Sequence, residues 1–510
     1  MKSHQSLPTT GPKREALRQK GQFGTPRWVA KAMATYVVQP EVRTILEPAV
    51  GEGAFLRAMD DVASAKGLKP QIVGYELFPE VLNQARENGI SSSLLSTVKI
   101  HDFMSEAQVS NFDAIIANPP YIRHHRLGAE QKLALQTLAK ELTGLQIDGR
   151  AGLHIYFLVK ALSQLNPGGR LAFIMPADTV EGVFAPSLWK WIAANYAIDA
   201  VVTFQPGATP FPNVDTNALV FLIRRAATSR ELMWVECRKA ESEALQDWLD
   251  GSMCEVDNEY LLAIRRALPE ALATGFSRPP MESDDGSHIR LGELCAVMRG
   301  IASGANEYFL FTKARISLSG IPDRYFVRTI ARTRDVPGPL VDEQLLDHLD
   351  LKGRPTFLLS LQDTPQDSLP KSVQDYIRHG EQIGLSDQVL LSTRRPWYKM
   401  ESRRTPPLLF AYLGRRNTRF ILNEASVVPL TGFLCVYPKH VSSLEETLRL
   451  FRALQDPRAL TNLRLVGKSY GDGALKVEPR ALERLQIPYE VADEYGLIPR
   501  RQPVNLGLGI

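Results

Sequence analysis

Four polar residues stand at the ends of short apolar runs in the first 121 residues: Glu47 after Thr44-Ile45-Leu46, Glu76 after Gly74-Tyr75, Asp102 before Phe103, and Asn118 before Pro119-Pro120-Tyr121. Open α/β sheets bind their ligands beyond the carboxyl ends of the strands, where such side chains meet ribose hydroxyls, amines and base edges. Taken singly, each carboxylate is better read as a cap or a surface charge, and Asn-Pro-Pro-Tyr reads equally well as a turn punctuated by proline. In series at four strand ends they point to a nucleoside-bearing ligand. Proline cannot extend a sheet ladder and moves the preceding residue out of helical geometry. The run Phe112–Ala117 must therefore stop at Asn118, whose side chain is held at a rigid end. Gly51 and Gly53, in Glu47-Pro-Ala-Val-Gly-Glu-Gly-Ala-Phe55, allow a tight turn and a close approach of ligand to backbone. The turn lacks a full GxGxxG and a Walker lysine, which argues against dinucleotides and nucleoside triphosphates.

The elements that must carry these residues alternate as a βαβ series does. Strands are expected at 44–50, 71–77, 98–104, 112–118, 170–176, 198–204 and 217–225. Helices are expected at 53–67, at 79–89 with proline near its start and glycine at its end, and over the apolar stretch 153–165, stopped by Pro167 and two glycines. The strands read as continuous apolar runs, as strands buried on both faces do. Residues 230–274 look partly helical, and 275–288 are rich in Gly, Pro, Ser and acidic residues, like a linker. This predicts three segments: a basic disordered tail at 1–20, an α/β domain at 21–280, and a mixed α+β domain at 281–510.

The ordered series Phe23-Gly-Thr-Pro26, Glu47-Pro-Ala-Val-Gly-Glu-Gly-Ala-Phe55, Gly74-Tyr-Glu-Leu-Phe-Pro79, His101-Asp-Phe103 and Asn118-Pro-Pro-Tyr121 resembles the class I S-adenosylmethionine-dependent methyltransferases. Among them it is similar to the γ-order, Taq I-type adenine-N6 DNA methyltransferases. Looser likeness in 291–311, 406–423 and 465–488 extends the resemblance over about residues 21–490. It implies a Rossmann-like seven-stranded domain followed by a target-recognition domain. It implies S-adenosylmethionine as cofactor, lined by Phe23, Thr25, Ala49, Gly51, Gly53 and Pro120, with Glu47 at the methionine amine, Glu76 at the ribose, and Asp102 and Phe103 at the adenine. Asn118, Pro119 and Tyr121 would handle the target base, with Phe211 as a second aromatic. The Asn118 side-chain oxygen and the Pro119 carbonyl would each accept an N6 hydrogen, turning the amine lone pair toward the methyl group. Tyr121 would stack on a base taken out of the duplex. His124 and His125 are expected in a polar loop, and His154 as a satisfied core residue.

Charge adds a partner. Between Arg394 and Arg419, eight basic residues (Arg394, Arg395, Lys399, Arg403, Arg404, Arg415, Arg416 and Arg419) face Glu401 alone, with Trp397, Tyr398, Phe410 and Tyr412 interleaved. A solvated loop and a phosphate-binding surface both fit; beside the resemblance, the segment is expected to hold the backbone of double-stranded DNA. The four cysteines lie far apart with no CxxC pair, which predicts reduced thiols and no metal. No window is apolar enough to span a bilayer, and the basic N-terminus has no apolar core of a signal sequence, so a cytoplasmic, nucleoid-associated protein is expected. No fused nuclease motif is evident, so a cognate endonuclease would be a separate chain. The rival readings are an amino-methyltransferase of RNA or protein glutamine, and a non-catalytic DNA-binding specificity protein.

Overall fold

The computed structural model describes residues 24–498 apart from 107–109, 181, 213–216, 281–286, 363, 415–418, 440–442 and 471–473. The predicted tail at 1–20, Phe23, Arg415 and Arg416 lie outside the described residues. By compactness the chain divides into two units, one up to Pro280 and one taking nearly all of the chain from Met281.

In the first unit, α1 (Arg27–Val37) leads into β1 (Thr44–Glu47), α2 (Ala54–Ala65), β2 (Gln71–Glu76), α3 (Pro79–Glu87), β3 (Val98–Ile100) and β4 (Phe112–Ala117). After α4 (Ala129–Thr143) and α5 (Leu153–Ser163) come β5 (Leu165–Pro176), α6 (Ala185–Asn195), β6 (Ala197–Phe204), β7 (Ala218–Arg224), β8 (Glu231–Cys237), β9 (Val256–Asp257) and β10 (Leu261–Ala267). They form one sheet in the order β3-β2-β1-β4-β5-β7-β6-β8-β10-β9. Strands β3 to β5 run parallel, and β7 is antiparallel to both neighbours. The order reverses between β1 and β4, so the tips of these two strands flank the crevice where such sheets bind ligands.

The seven expected strands are present, and three more extend the sheet. Sequence periodicity hides β10 because Arg266 occupies an inward position. Its guanidinium is fully buried and is satisfied by Glu270, Thr274 and the Arg278 carbonyl. A buried arginine is tolerated only when paired in this way.

Helix α2 buries Phe55, Leu56, Met59, Val62 and Ala63, the i, i+3/i+4 stripe of an amphipathic helix. Helix α5 is buried nearly all round, which explains why its sequence is apolar apart from His154, Lys160 and Ser163. Helix α1, which carries the Gly24-Thr25-Pro26 leader, is tied to the far side of the sheet. The Tyr36 hydroxyl donates to Asp199 at 2.8 Å, and Arg224 grips the same carboxylate through two nitrogens. A bidentate arginine–carboxylate pair of this kind is the strong form of ion pair.

The second unit, described by itself, is mixed α+β. Its five-stranded sheet joins Cys295–Arg299, Phe433–Pro438, Leu408–Ala411, Arg419–Asn423 and Leu340–Val341. A four-stranded sheet and the helices Lys371–Gln382 and Leu444–Gln455 complete it. The latter helix starts at a capping box, Ser443 with Glu446, which satisfies two otherwise orphaned amides. Among the described residues no helix is long and apolar enough to cross a membrane.

Candidate active site

A cavity of about 1310 Å³ opens at the carboxyl ends of the parallel strands of the first unit. Its wall includes Ala49, Gly51 and Gly53 after β1, Glu76 at the end of β2, and Asp102 and Phe103 after β3. Asn118 and Pro120 after β4, and Thr25 ahead of α1, complete the predicted set that lines it. Gly51 and Gly53 both adopt left-handed backbone, at φ +56° and +79°. A Cβ built on Gly51 meets no described atom within 4 Å, so the turn presents bare backbone to open space, as ligand contact through amides requires. Glu76 shapes this turn: its Oε2 accepts the Gly51 amide at 2.8 Å and its Oε1 the Phe78 amide at 3.0 Å. A carboxylate has about four acceptor positions, so Glu76 keeps capacity for a ribose. Asp102 similarly accepts the Met104 amide and the Ser105 hydroxyl, both at 2.9 Å. Phe103 is buried, its ring 5.9 Å from Tyr75 and 5.4 Å from Phe157.

Glu47 is the exception in place and in chemistry. It lies outside the cavity lining, is 0% exposed, and neither carboxylate oxygen meets a hydrogen-bond partner among the described residues. Burial, with the Glu76 carboxylate nearby, pushes its pKa well above the ordinary range. Leaving a buried carboxylate unsatisfied costs stability, which sets Glu47 apart from Glu76 and Asp102.

Asn118 meets the leader segment. Its Nδ2 donates to the Thr25 hydroxyl at 3.1 Å, so the leader and the strand end meet at the catalytic candidate. Pro119 and Tyr121 do not line the cavity. The Tyr121 hydroxyl donates to the Ile174 carbonyl at 3.0 Å. Its ring meets Phe211 edge to face, with centroids 6.4 Å apart, and His154 at 6.0 Å. The two aromatics expected to frame a base are thus brought together, but touching each other rather than lying parallel around a slot.

His154 corrects an expectation. It is in the core, 6% exposed, yet neither ring nitrogen finds a partner among the described residues, so it is not satisfied. Burial pushes its pKa down to about 4 against the opposing Asp178 carboxylate, which keeps the ring neutral at physiological pH. His124 and His125 sit in a short 3-10 turn on the chain that leaves Tyr121.

In the second unit, several guanidinium groups expected on DNA are engaged within the chain. Arg394 donates to the carbonyls of Ser303 and Ala302, and Arg403 to Glu401 and the Arg299 carbonyl. Arg419 donates to the carbonyls of Gly338 and Val336. Arg395 is exposed and reaches the nearby Ser392 and Arg394 carbonyls; Arg404 is exposed, and Lys399 is half-buried. Sequence reasoning also missed Ile122, Gln131, Leu135 and Leu138 on the cavity wall, which a linear motif does not mark because α4 brings three of them in from its own helical spacing.

Residues 13–246 match the N-6 DNA Methylase family, and residues 282–501 match the C-terminal domain of the Type II methyltransferase M.Eco57I. The chain thus carries an N-6 DNA Methylase region followed by an M.Eco57I-type C-terminal domain. This methylase is 24% identical to the Type II methyltransferase M.AccI of Acinetobacter calcoaceticus, over 91% of its own length and 84% of that protein. It is 25% identical to M.XamI of Xanthomonas campestris pv. amaranthicola, over 92% of its own length and 85% of that protein. In fold the methylase is similar to the Type IIL restriction-modification enzyme MmeI, solved in complex with DNA, at a TM-score of 0.52 and 14% identity. It spans 63% of that enzyme, which covers 91% of the methylase.

Proposed function

We propose that this methylase transfers a methyl group from S-adenosylmethionine to adenine N6 in duplex DNA at a short specific sequence. In this reading it is the modification enzyme of a restriction-modification or related defence system. The observation that carries it is the Thr25–Asn118 hydrogen bond on the wall of the cavity. That bond fixes the Asn118 amide at the cavity wall, and in this reading its oxygen accepts a hydrogen of the target amine.

The residues present fit the cofactor. Glu47, buried without a partner among the described residues, suits a ligand ammonium; Glu76 suits ribose hydroxyls; Asp102 suits the exocyclic amine of adenine. S-adenosylmethionine, when bound, supplies an electrophilic methyl on a sulfonium. The remaining work is done by the chain. Adenine N6 is a poor nucleophile because its lone pair is delocalised into the ring. Acceptance of its two hydrogens by the Asn118 oxygen and the Pro119 carbonyl favours a pyramidal nitrogen with a directed lone pair. The two prolines hold those acceptors still, and Thr25 holds the amide. Tyr121 and Phe211 supply stacking surface for a base withdrawn from the duplex, once their edge-to-face contact opens.

The test is transfer of label from S-adenosylmethionine to DNA, RNA and protein offered side by side. Label in DNA alone, confined to one short motif, is expected. Label only in RNA or protein overturns the substrate, and cofactor binding without transfer to any of them favours a binding role.

A further inference from the structure

Helix α5 is buried nearly all round, yet it carries a lysine. Lys160 is 6% exposed, and a lysine is almost never buried unless its charge is matched. Here the match is three main-chain carbonyls: Phe103 at 2.7 Å, Met104 at 3.1 Å and Glu106 at 2.8 Å. An ammonium has three donors, and all three are used. The Nζ also lies 5.1 Å from the centroid of the Phe103 ring.

Every one of these acceptors lies in the segment directly after Asp102. That segment is a single 3-10 turn, Phe103–Ser105, too short to be stable through its own hydrogen bonds. It is held from two ends. Asp102 accepts the Met104 amide and the Ser105 hydroxyl from the cavity side, and Lys160 gathers the carbonyls from the core side. Both Asp102 and Phe103 line the cavity, whereas Lys160 does not. An uncharged donor at 160 would leave buried carbonyls unmet, at a cost that the turn would relieve by moving.

We propose that Lys160 is a positioning residue for the adenine end of the cofactor site, clamping the 103–106 backbone so that the Asp102 carboxylate faces the 6-amino group of the bound nucleoside. The inference rests on the cofactor reading above. Lys160 does not line the cavity and acts through the 103–106 backbone, whose first turn Asp102 caps. Its effect is therefore on recognition of one edge of the adenine, while the ribose contact of Glu76 and the Asn118 centre are untouched.

The experiment measures dissociation constants of S-adenosylhomocysteine and of its inosine counterpart, which lacks the 6-amino group, by titration calorimetry. The proteins are the full chain and its Lys160→Met, Lys160→Arg and Asp102→Asn variants, plus the Lys160→Met/Asp102→Asn double variant. Lys160→Met is expected to weaken S-adenosylhomocysteine by about tenfold or more, the scale of one hydrogen bond to a charged group. Discrimination against the inosine analogue should collapse, and Lys160→Arg should restore most of it. In the double variant the two losses should not add, as for residues acting through one contact. Should Lys160→Met fail to fold, Lys160→Gln keeps a donor and most of the volume and is expected to lose discrimination in part. Undiminished discrimination in the methionine or glutamine variant overturns the inference, as does a loss fully additive with Asp102→Asn. A parent protein that binds neither ligand instead overturns the cofactor reading itself.

Discussion

The strand-end cavity and the arginine-rich segment were both expected to bind a charged ligand, and they differ in how much of their polar capacity the chain has already used. At the cavity, capacity is held open. Glu47, next in sequence to the lining residues Pro48 and Ala49, is buried with both oxygens unmatched among the described residues, and the turn at Gly51 leaves open the space that a side chain would fill. In the second unit, Arg394, Arg403 and Arg419 donate to carbonyls of their own chain. Unsatisfied buried groups cost free energy, and at Glu47 the cofactor reading supplies the compensating donor. A cluster of like charge carries no such cost at an exposed loop, and its residues divide between scaffold and surface.

The comparison is broken most severely at Asn118. Asn118→Ala should lower methyl transfer on the order of a hundred- to a thousandfold while cofactor affinity is kept, since it removes an acceptor used in the transfer step. Loss of cofactor affinity as well would move the site. Glu47→Gln should weaken S-adenosylmethionine roughly thirtyfold or more, as truncation of a buried charge pair does, and should raise the melting temperature of the free protein. The sign follows from linkage. The folded pKa of Glu47 is raised by burial, so the stability it contributes is complete below the ordinary carboxylate pKa and is lost as pH rises through the folded value. Melting curves of the free protein across that window should therefore fall with pH, and fall less in Glu47→Gln.

Thr25→Val sharpens the role of the leader. It should lower kcat by about tenfold, the worth of one hydrogen bond in a preorganised site, with Thr25→Ser near the parent and the KM for S-adenosylmethionine little changed. The smallest effects separate the arginines. Arg404→Ala should reduce the salt dependence of DNA affinity by about one unit of slope without loss of stability. Arg394→Ala should instead cost about 1–3 kcal/mol of stability in denaturant unfolding, because it strands the Ser303 and Ala302 carbonyls. Equal behaviour of the two variants would remove the distinction between the regions.

Much of the fold was legible because strands buried on both faces advertise themselves as apolar runs, and because the Asn-Pro-Pro sequence stops β4 by covalent geometry. Strand β10 was not, because Arg266 sits where the pattern demands an apolar residue and is rescued by partners distant from the pattern. At the site, the residue types at the strand ends were readable, whereas their satisfaction was not. Nothing in the sequence says that the His154 ring nitrogens find no hydrogen-bond partner among the described residues, that Thr25 reaches across 93 positions to Asn118, or that a lysine of α5 supports the turn after Asp102. Those are properties of packing, which brings together groups that no linear spacing relates.

The most direct measurement is mass-spectrometric nucleoside analysis of duplex DNA after incubation with S-adenosylmethionine and either the parent chain or Asn118→Ala, with cofactor binding of both measured in parallel. The account predicts N6-methyldeoxyadenosine with the parent, essentially none with the variant, and equal cofactor affinity. Methylation at a cytosine, or undiminished N6-methyldeoxyadenosine in the variant, would contradict it.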